Sequence, residues 1–283
     1  MVLAHRGWSG RYPENTMAAF EKAAALPVDG LELDVRGTAD GVPVLMHDET
    51  VDRTTNGTGR VTDFTLAQLK GLDAGYRWSP DEGRSFPFRG RGIAVHTLRE
   101  VLSAFPHLWI NLDIKQNQPS VIDTVAGMIR RFHIEDHVCA GSFDTQTIRA
   151  LRRACPEAAT AAAPREVLGF LVLQRLLLSF LYRGKARVLA IPEHFRGRRI
   201  LNRSFVQAAH QKGLAVHVWT VNERKDMVRV VDMGVDGLIT DHPDRAIEVL
   251  GPSRRPMGLE PSGVKGASGS LGSGSKSGES IKV

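Results

Sequence analysis

The chain reads as an α/β protein: a (β/α)8 TIM barrel with a small subdomain inserted after the hairpin of its second strand. Three observations point there. Up to about residue 250, short β-branched runs alternate with amphipathic helical runs, the pattern of parallel strands joined by crossover helices. Eight strand candidates can be counted, the number that closes a barrel. A chain of 283 residues also suits a single barrel domain.

The strands are expected at 2–5, 30–36, 109–114, 137–142, 158–162, 187–191, 215–220 and 237–240. Helical periodicity separates them at 15–26, 97–105, 120–132, 145–154, 202–212 and 223–233. Thr97 with Glu100, and Thr65 with Gln68, have the spacing of capping boxes that open a helix. Residues from about 50 to 95 break the rhythm with a Thr-Asn-Gly-Thr-Gly run, two prolines and one short helix near 65–72. This is the inserted subdomain, expected to wall part of the substrate site. The barrel therefore takes 1–250, and 251–283, rich in Gly and Ser, is expected to be a disordered tail.

Within the second strand unit, Asp40-Gly41 is a strong signal for a two-residue type I′ turn. Counting outward sets Ala39 opposite Val42, Thr38 opposite Pro43 and Asp34 opposite His47. Glu32 and Asp34 lie two apart and share a strand face, so this register gathers two carboxylates and an imidazole. Barrel chemistry sits at the C-terminal ends of strands. Those ends add His5 and Arg6, then Asp113 and Lys115, then Trp219. Three converging carboxylates, Glu32, Asp34 and Asp113, repel one another without a cation. All-oxygen ligation suits a hard divalent ion, Mg²⁺ or Ca²⁺. His5 and His47 can act as a general acid–base pair, and Arg6 and Lys115 supply charge for a phosphate.

Composition narrows the alternatives. The net charge is +6 and the pI about 9.6, but the cations are scattered without an aromatic–basic motif, so no nucleic-acid partner is expected. Cys139 and Cys155 fit neither a disulfide framework nor a zinc motif and read as buried free thiols. The first strand begins at Val2 without a leader pattern, and a cytoplasmic location is expected. The run 167–182 is almost wholly apolar around Gln174-Arg175. The first reading is a barrel-covering helix packed on both sides. The second is a helix in the membrane interface, giving peripheral membrane contact through 167–182, with Arg183, Lys185 and Arg187 beside it.

Several motifs stand in order along the chain: His5-Arg6-Gly7, Pro13-Glu14-Asn15-Thr16, Glu32-Leu33-Asp34-Val35, Asp40-Gly41 leading to His47-Asp48, and Asn111-Leu112-Asp113-Ile114-Lys115. Val218-Trp219-Thr220-Val221-Asn222, Gly234-Val235-Asp236-Gly237 and Thr240-Asp241 follow. Together they resemble the glycerophosphodiester phosphodiesterase family from Val2 to about Leu250. The resemblance implies metal-dependent hydrolysis of a small-molecule glycerophosphodiester to an alcohol and sn-glycerol 3-phosphate, in glycerophospholipid metabolism. It implies His5 and His47 as the acid–base pair and Glu32, Asp34 and Asp113 as ligands of one divalent ion. Arg6 and Lys115 would hold the phosphate, with Glu14 and Trp219 shaping the glycerol side. Many relatives carry Glu where this chain has Asp113.

A lysophospholipase D acting on lysolipids at a membrane surface keeps the chemistry and changes the substrate. A catalytically silent barrel used as a binding module is the alternative from another class. A glycosidase fits less well, because two histidines beside Arg6 and Lys115 suit an anionic diester better than a sugar. An amidohydrolase-type site lacks its H-x-H strand end, replaced here by His5-Arg6-Gly7.

Overall fold

The computed structural model describes residues 1–116, 120–195 and 197–251; the tail expected over 251–283 lies, but for Gly251, outside the described residues. In chain order the strands are β1 (Val2–His5), β2 (Gly30–Gly37), β3 (Pro43–Leu45), β4 (Trp109–Ile114), β5 (Val138–Gly141) and β6 (Ala159–Thr160). They continue as β7 (Val188–Pro192), β8 (His194–Phe195), β9 (Arg198–Arg199), β10 (Ala215–Trp219) and β11 (Gly237–Thr240). The helices are α1 (Met17–Ala24), α2 (Leu66–Lys70), α3 (Leu98–Ala104), α4 (Ile122–Arg131) and α5 (Thr145–Ala154). Then come α6 (Pro164–Arg175), α7 (Arg203–Gln211), α8 (Arg224–Val231) and α9 (Pro243–Leu250).

Eight parallel strands run in the order β6-β5-β4-β2-β1-β11-β10-β7, and a parallel bridge from Ala161 to Val188 joins the two ends into a barrel. Alternation along each strand divides the side chains. Leu31, Leu33 and Val35 of β2 and Ile110, Leu112 and Ile114 of β4 face outward into the main core. There they meet Phe20 of α1, Val125 and Ile129 of α4, Leu151 of α5 and Phe205 of α7. Each such fully buried side chain contributes about 1.5–3 kcal/mol. Leu3, Trp109, Cys139, Val188, Ala215 and Ile239 alternate inward and plug the barrel. Both cysteines are free and buried.

Parallel pairing carries every strand's C-terminal end to one mouth. Register sets His5 beside Glu32, and Asp34 beside Asp113. Both capping boxes form: Thr97 with Glu100 opens α3, and Thr65 with Gln68 opens α2. Between β3 and α3 the inserted segment packs its own small core from Met46, Val51, Val61, Leu69, Ala74 and Val95.

The hairpin corrects the expected register by one residue. β2 pairs with β3 as Gly37–Pro43, Arg36–Val44 and Val35–Leu45, so Asp34 stands opposite Met46, whose amide it accepts at 3.0 Å, and not opposite His47. The loop is Ala39-Asp40-Gly41, closed by Gly41 N–H to Thr38 O at 3.0 Å and Thr38 N–H to Val42 O at 3.1 Å. Gly41 alone in it takes positive φ, +75°. That is a three-residue loop with a glycine bulge, and it moves every opposite pair by one.

The apolar run at 167–182 also departs from its first reading. α6 ends at Arg175, and its single fully buried side chain is Phe170, edge-on to Tyr182 and Phe205 at 5.2 Å each. Leu168, Val172, Leu176 and Leu177 are exposed, so the helix packs on one side only. Among the described residues no helix is long and apolar enough to cross a membrane.

Candidate active site

The mouth is built from sharp departures of the chain off strand ends. After His5, Arg6 (φ 55°) and Gly7 (φ 83°) turn left-handed. A Cβ on Gly7 would lie 2.7 Å from the backbone of Ala19, so only glycine allows α1 this close. The turn leaves His5 in the mouth and folds Arg6 over β2. Asn15, also left-handed at φ 55°, docks on the same strand: its Nδ2 donates to Asp34 Oδ2 (2.9 Å), and its Oδ1 accepts the Asp34 amide (3.2 Å).

His47 reaches the mouth by a different route from the one counted along the hairpin. β3 stops at Leu45, and the following residues leave strand geometry. Arg36 Nε donates to the His47 carbonyl at 3.0 Å and anchors the departing chain. The imidazole then lines the same cavity as His5.

Each imidazole is tied to a carboxylate through Nδ1. His5 pairs with Asp241 Oδ1 at 2.6 Å, and His47 with Asp48 Oδ1 at 2.6 Å. Asp241 also accepts from Ser9 Oγ (2.8 Å) and Asn222 Nδ2 (2.7 Å). These donors hold it ionised despite burial, with a pKa far below the usual carboxylate range. Burial works to lower the His5 pKa, but the charge of Glu32 and the bond to Asp241 outweigh it and raise it. Asp48 is held at about 2, where bonds from Arg53 and His47 overcome burial.

Beneath the imidazoles lies a dense charge cluster. Arg6 meets Glu14 Oε1 and Asp34 Oδ2, both at 2.9 Å. Lys115 Nζ lies 2.6 Å from Asp113 Oδ2 and 3.0 Å from Asp34 Oδ1. Burial first, then the neighbouring charges of Asp34 and Asp113, push the Glu32 carboxyl up to about 8. Asp113 is raised by burial as well, against the pull of Lys115. Asp34 goes the other way: Lys115 and Arg6 overcome its burial and lower it.

This donor set suits a hard cation. Asp113 Oδ1 is buried without a hydrogen-bond partner, Asp34 Oδ1 meets only the Lys115 ammonium, and Glu32 carries more repulsion than its neighbours neutralise. As the side chains stand, Lys115 answers part of that charge, and the described residues hold no group of three His, Cys, Asp or Glu already converged as a metal cage.

Seven of the nine side chains singled out from sequence line one cavity of about 310 Å³: His5, Arg6, Glu32, His47, Asp113, Lys115 and Trp219. Asp34 lies buried under Arg6 and Lys115, and Glu14 sits beside Arg6. A profile of the glycerophosphoryl diester phosphodiesterase family matches residues 5–245.

The chain belongs to the glycerophosphoryl diester phosphodiesterase family.

It is 34% identical over 256 residues to the glycerophosphodiester phosphodiesterase of Caldanaerobacter subterraneus, an alignment covering 88% of this chain and 97% of that one. A human lysophospholipase D is 25% identical over 280 residues, covering 88% and 85%. The structure of an Oleispira antarctica phosphodiesterase in complex with the product sn-glycerol-3-phosphate superposes with a TM-score of 0.68 at 25% identity, covering 88% and 96%.

Some site residues had no role in the sequence reading. Asp241 and Asp48 stand inside family motifs, but only the fold shows that each grips an imidazole. Arg53 gave no signal at all. It donates to Glu14 through Nη1 and Nη2 (2.8 and 2.7 Å) and to Asp48 through Nε (2.6 Å), tying the Arg6 side of the site to the His47 side. Phe143 packs edge-on to Trp219 at 5.8 Å and takes the Lys115 ammonium 5.4 Å from its ring centre.

Proposed function

We propose that this site hydrolyses glycerophosphodiesters to an alcohol and sn-glycerol 3-phosphate in glycerophospholipid breakdown, using one divalent cation, Mg²⁺ or Ca²⁺, held by Glu32, Asp34 and Asp113. The cation supplies Lewis-acid stabilisation of phosphoryl charge. Arg6 and Lys115 hold the phosphate oxygens and share in that stabilisation. With Nδ1 of both imidazoles tied to a carboxylate, each Nε2 is the atom free to exchange a proton with substrate. One imidazole takes the proton of the attacking oxygen as it bonds to phosphorus. That oxygen belongs to water itself, or to a glycerol hydroxyl of the substrate that forms a cyclic phosphate, which water then opens to glycerol 3-phosphate. The other returns a proton to the alcohol oxygen as its P–O bond breaks. Glu14 orients Arg6, and Trp219 bounds the glycerol side.

The observation that carries this reading is the pair of carboxylate-anchored imidazoles facing one cavity that Arg6, Lys115, Glu32 and Asp113 also line. Phosphorus NMR of glycerophosphocholine turnover with Mg²⁺, Ca²⁺ or chelator tests it. The expected product is glycerol 3-phosphate, lost with chelator and in His5→Ala and His47→Ala. Undiminished turnover in chelator would remove the metal from the reading. A wild type inactive with both ions would favour the silent barrel.

A lysolipid substrate is a second reading, favoured by the far wall of the same cavity. Beyond Trp219 and Phe143 it is lined by Ala162, Val167, Leu168, Leu171 and Ile200, apolar surface that a headgroup alone leaves uncovered. Lysophosphatidylcholine added to the same assay decides between the two.

A further inference from the structure

A helix that covers a barrel normally buries one apolar stripe and shows water a polar one. α6 does not. Phe170 is its inward anchor, yet Leu168, Val172 and Leu176 stand at i, i+4 and i+8 on a face that is 60%, 48% and 61% exposed. Leu177, the next residue, is 85% exposed. An apolar stripe of this size on a water-facing helix costs solubility and marks an interaction surface.

The stripe is continuous with the mouth of the site. Leu168 belongs both to it and to the cavity wall, which the exposed rings of Phe143 and Phe195 also line. The end of α6 stays near this rim, where Gln174 Nε2 donates to Ser204 Oγ at the first turn of α7. Whatever covers the stripe therefore also faces the opening.

Charge indicates the occupant. From residue 167 through 192 the sequence has no Asp or Glu, while Arg175, Arg183, Lys185 and Arg187 fall within it. Arg175 and Arg198 share a groove with Leu171, Phe195 and Ile200, and among the described residues neither is ion-paired. Lys212 and Arg183 both donate to the Phe180 carbonyl at the far end of the run. An apolar stripe rimmed by arginines matches an anionic lipid surface: the leucines enter the acyl boundary and the guanidiniums meet phosphates. At twelve residues, about 18 Å, α6 lies in such a surface and does not cross it.

We propose that α6 and the β8–β9 hairpin dock this protein on an anionic bilayer, with the mouth of the site opening against the lipid. The proposal goes beyond the hydrolytic reading and stands apart from it, since docking is read without turnover.

The test is sedimentation of the full chain with vesicles of phosphatidylcholine alone, or with about 30% phosphatidylserine. Binding is expected to the anionic vesicles and to fall about tenfold or more in Leu176→Asp and in Arg175→Glu/Arg198→Glu. Unchanged melting temperatures and unchanged hydrolysis of soluble glycerophosphocholine would show that these variants fold. Absence of wild-type binding, equal binding to neutral vesicles, or variants that bind like wild type would each overturn the proposal. So would a concentration-dependent dimer that Leu176→Asp dissolves, which would give the stripe to a second copy of the chain.

Discussion

Asp241→Asn keeps the shape of the side chain that grips His5 and removes its charge. Asp241 accepts three bonds, from His5 Nδ1, Ser9 Oγ and Asn222 Nδ2, all within 2.8 Å. An amide oxygen can keep two of them, so the cost to folding should stay near 1 kcal/mol. The bond to His5 is different, because it is charge-assisted and strengthens as the ring takes a proton. Such a bond is worth about 1.5–3 kcal/mol, or roughly 10- to 100-fold in kcat. If the new amide group turns its N–H toward Nδ1, the tautomer reverses and the loss deepens further. KM should move little, because Asp241 touches His5 and not the cations that would hold phosphate. Burial lowers the His5 pKa, while Glu32 and Asp241 raise it, so the variant's pH–rate limb for His5 should shift toward acid. The assay is choline release from glycerophosphocholine, with kcat and KM measured across pH. A kcat within about twofold of wild type, with both limbs unmoved, would refute His5 as the proton carrier.

Arg53→Met should lower kcat/KM about 10- to 100-fold by releasing Glu14 and Asp48 together, while melting changes by less than about 1 kcal/mol because Arg53 is half-exposed; equal losses in both would make it a structural residue. Gly41→Val should lose about 1–2 kcal/mol in urea unfolding from its positive φ alone, since nothing lies within 4 Å of the added Cβ, and Gly41→Asn should recover most of it. Acid should weaken the fold through His217, whose ring lies buried beside Gly237 with both nitrogens unpartnered and whose pKa burial lowers to about 4. The unfolded chain binds this proton near pH 6.5, so stability present above that pH falls as pH drops toward 4, by about 3 kcal/mol in all. A wild type and a His217→Asn variant with parallel stability–pH curves between pH 7 and 4 would contradict this.

The sequence by itself determined the strand and helix alternation, because period and turn chemistry are local. The capping boxes at Thr65 and Thr97 formed for the same reason: each is complete within four residues. It also marked the strand-end residues, since parallel strands in one barrel must deliver their C-termini to one mouth. Three things waited for the tertiary structure. The hairpin register turned on whether Asp40 or only Gly41 takes positive φ, a one-residue difference that composition cannot resolve. The exposed face of α6 depended on the helix turning Phe170, with Val167, Leu171 and Leu173 partly buried beside it, to the core and Leu168, Val172 and Leu176 away, which no periodicity in so uniformly apolar a run could show. The grip of Asp241 on His5 joins residues 236 apart, and that of Arg53 on Glu14 joins residues 39 apart. Such pairs form only when barrel closure and the inserted subdomain bring the two segments together, so the chain shows which groups can do the chemistry while the fold decides what holds each of them.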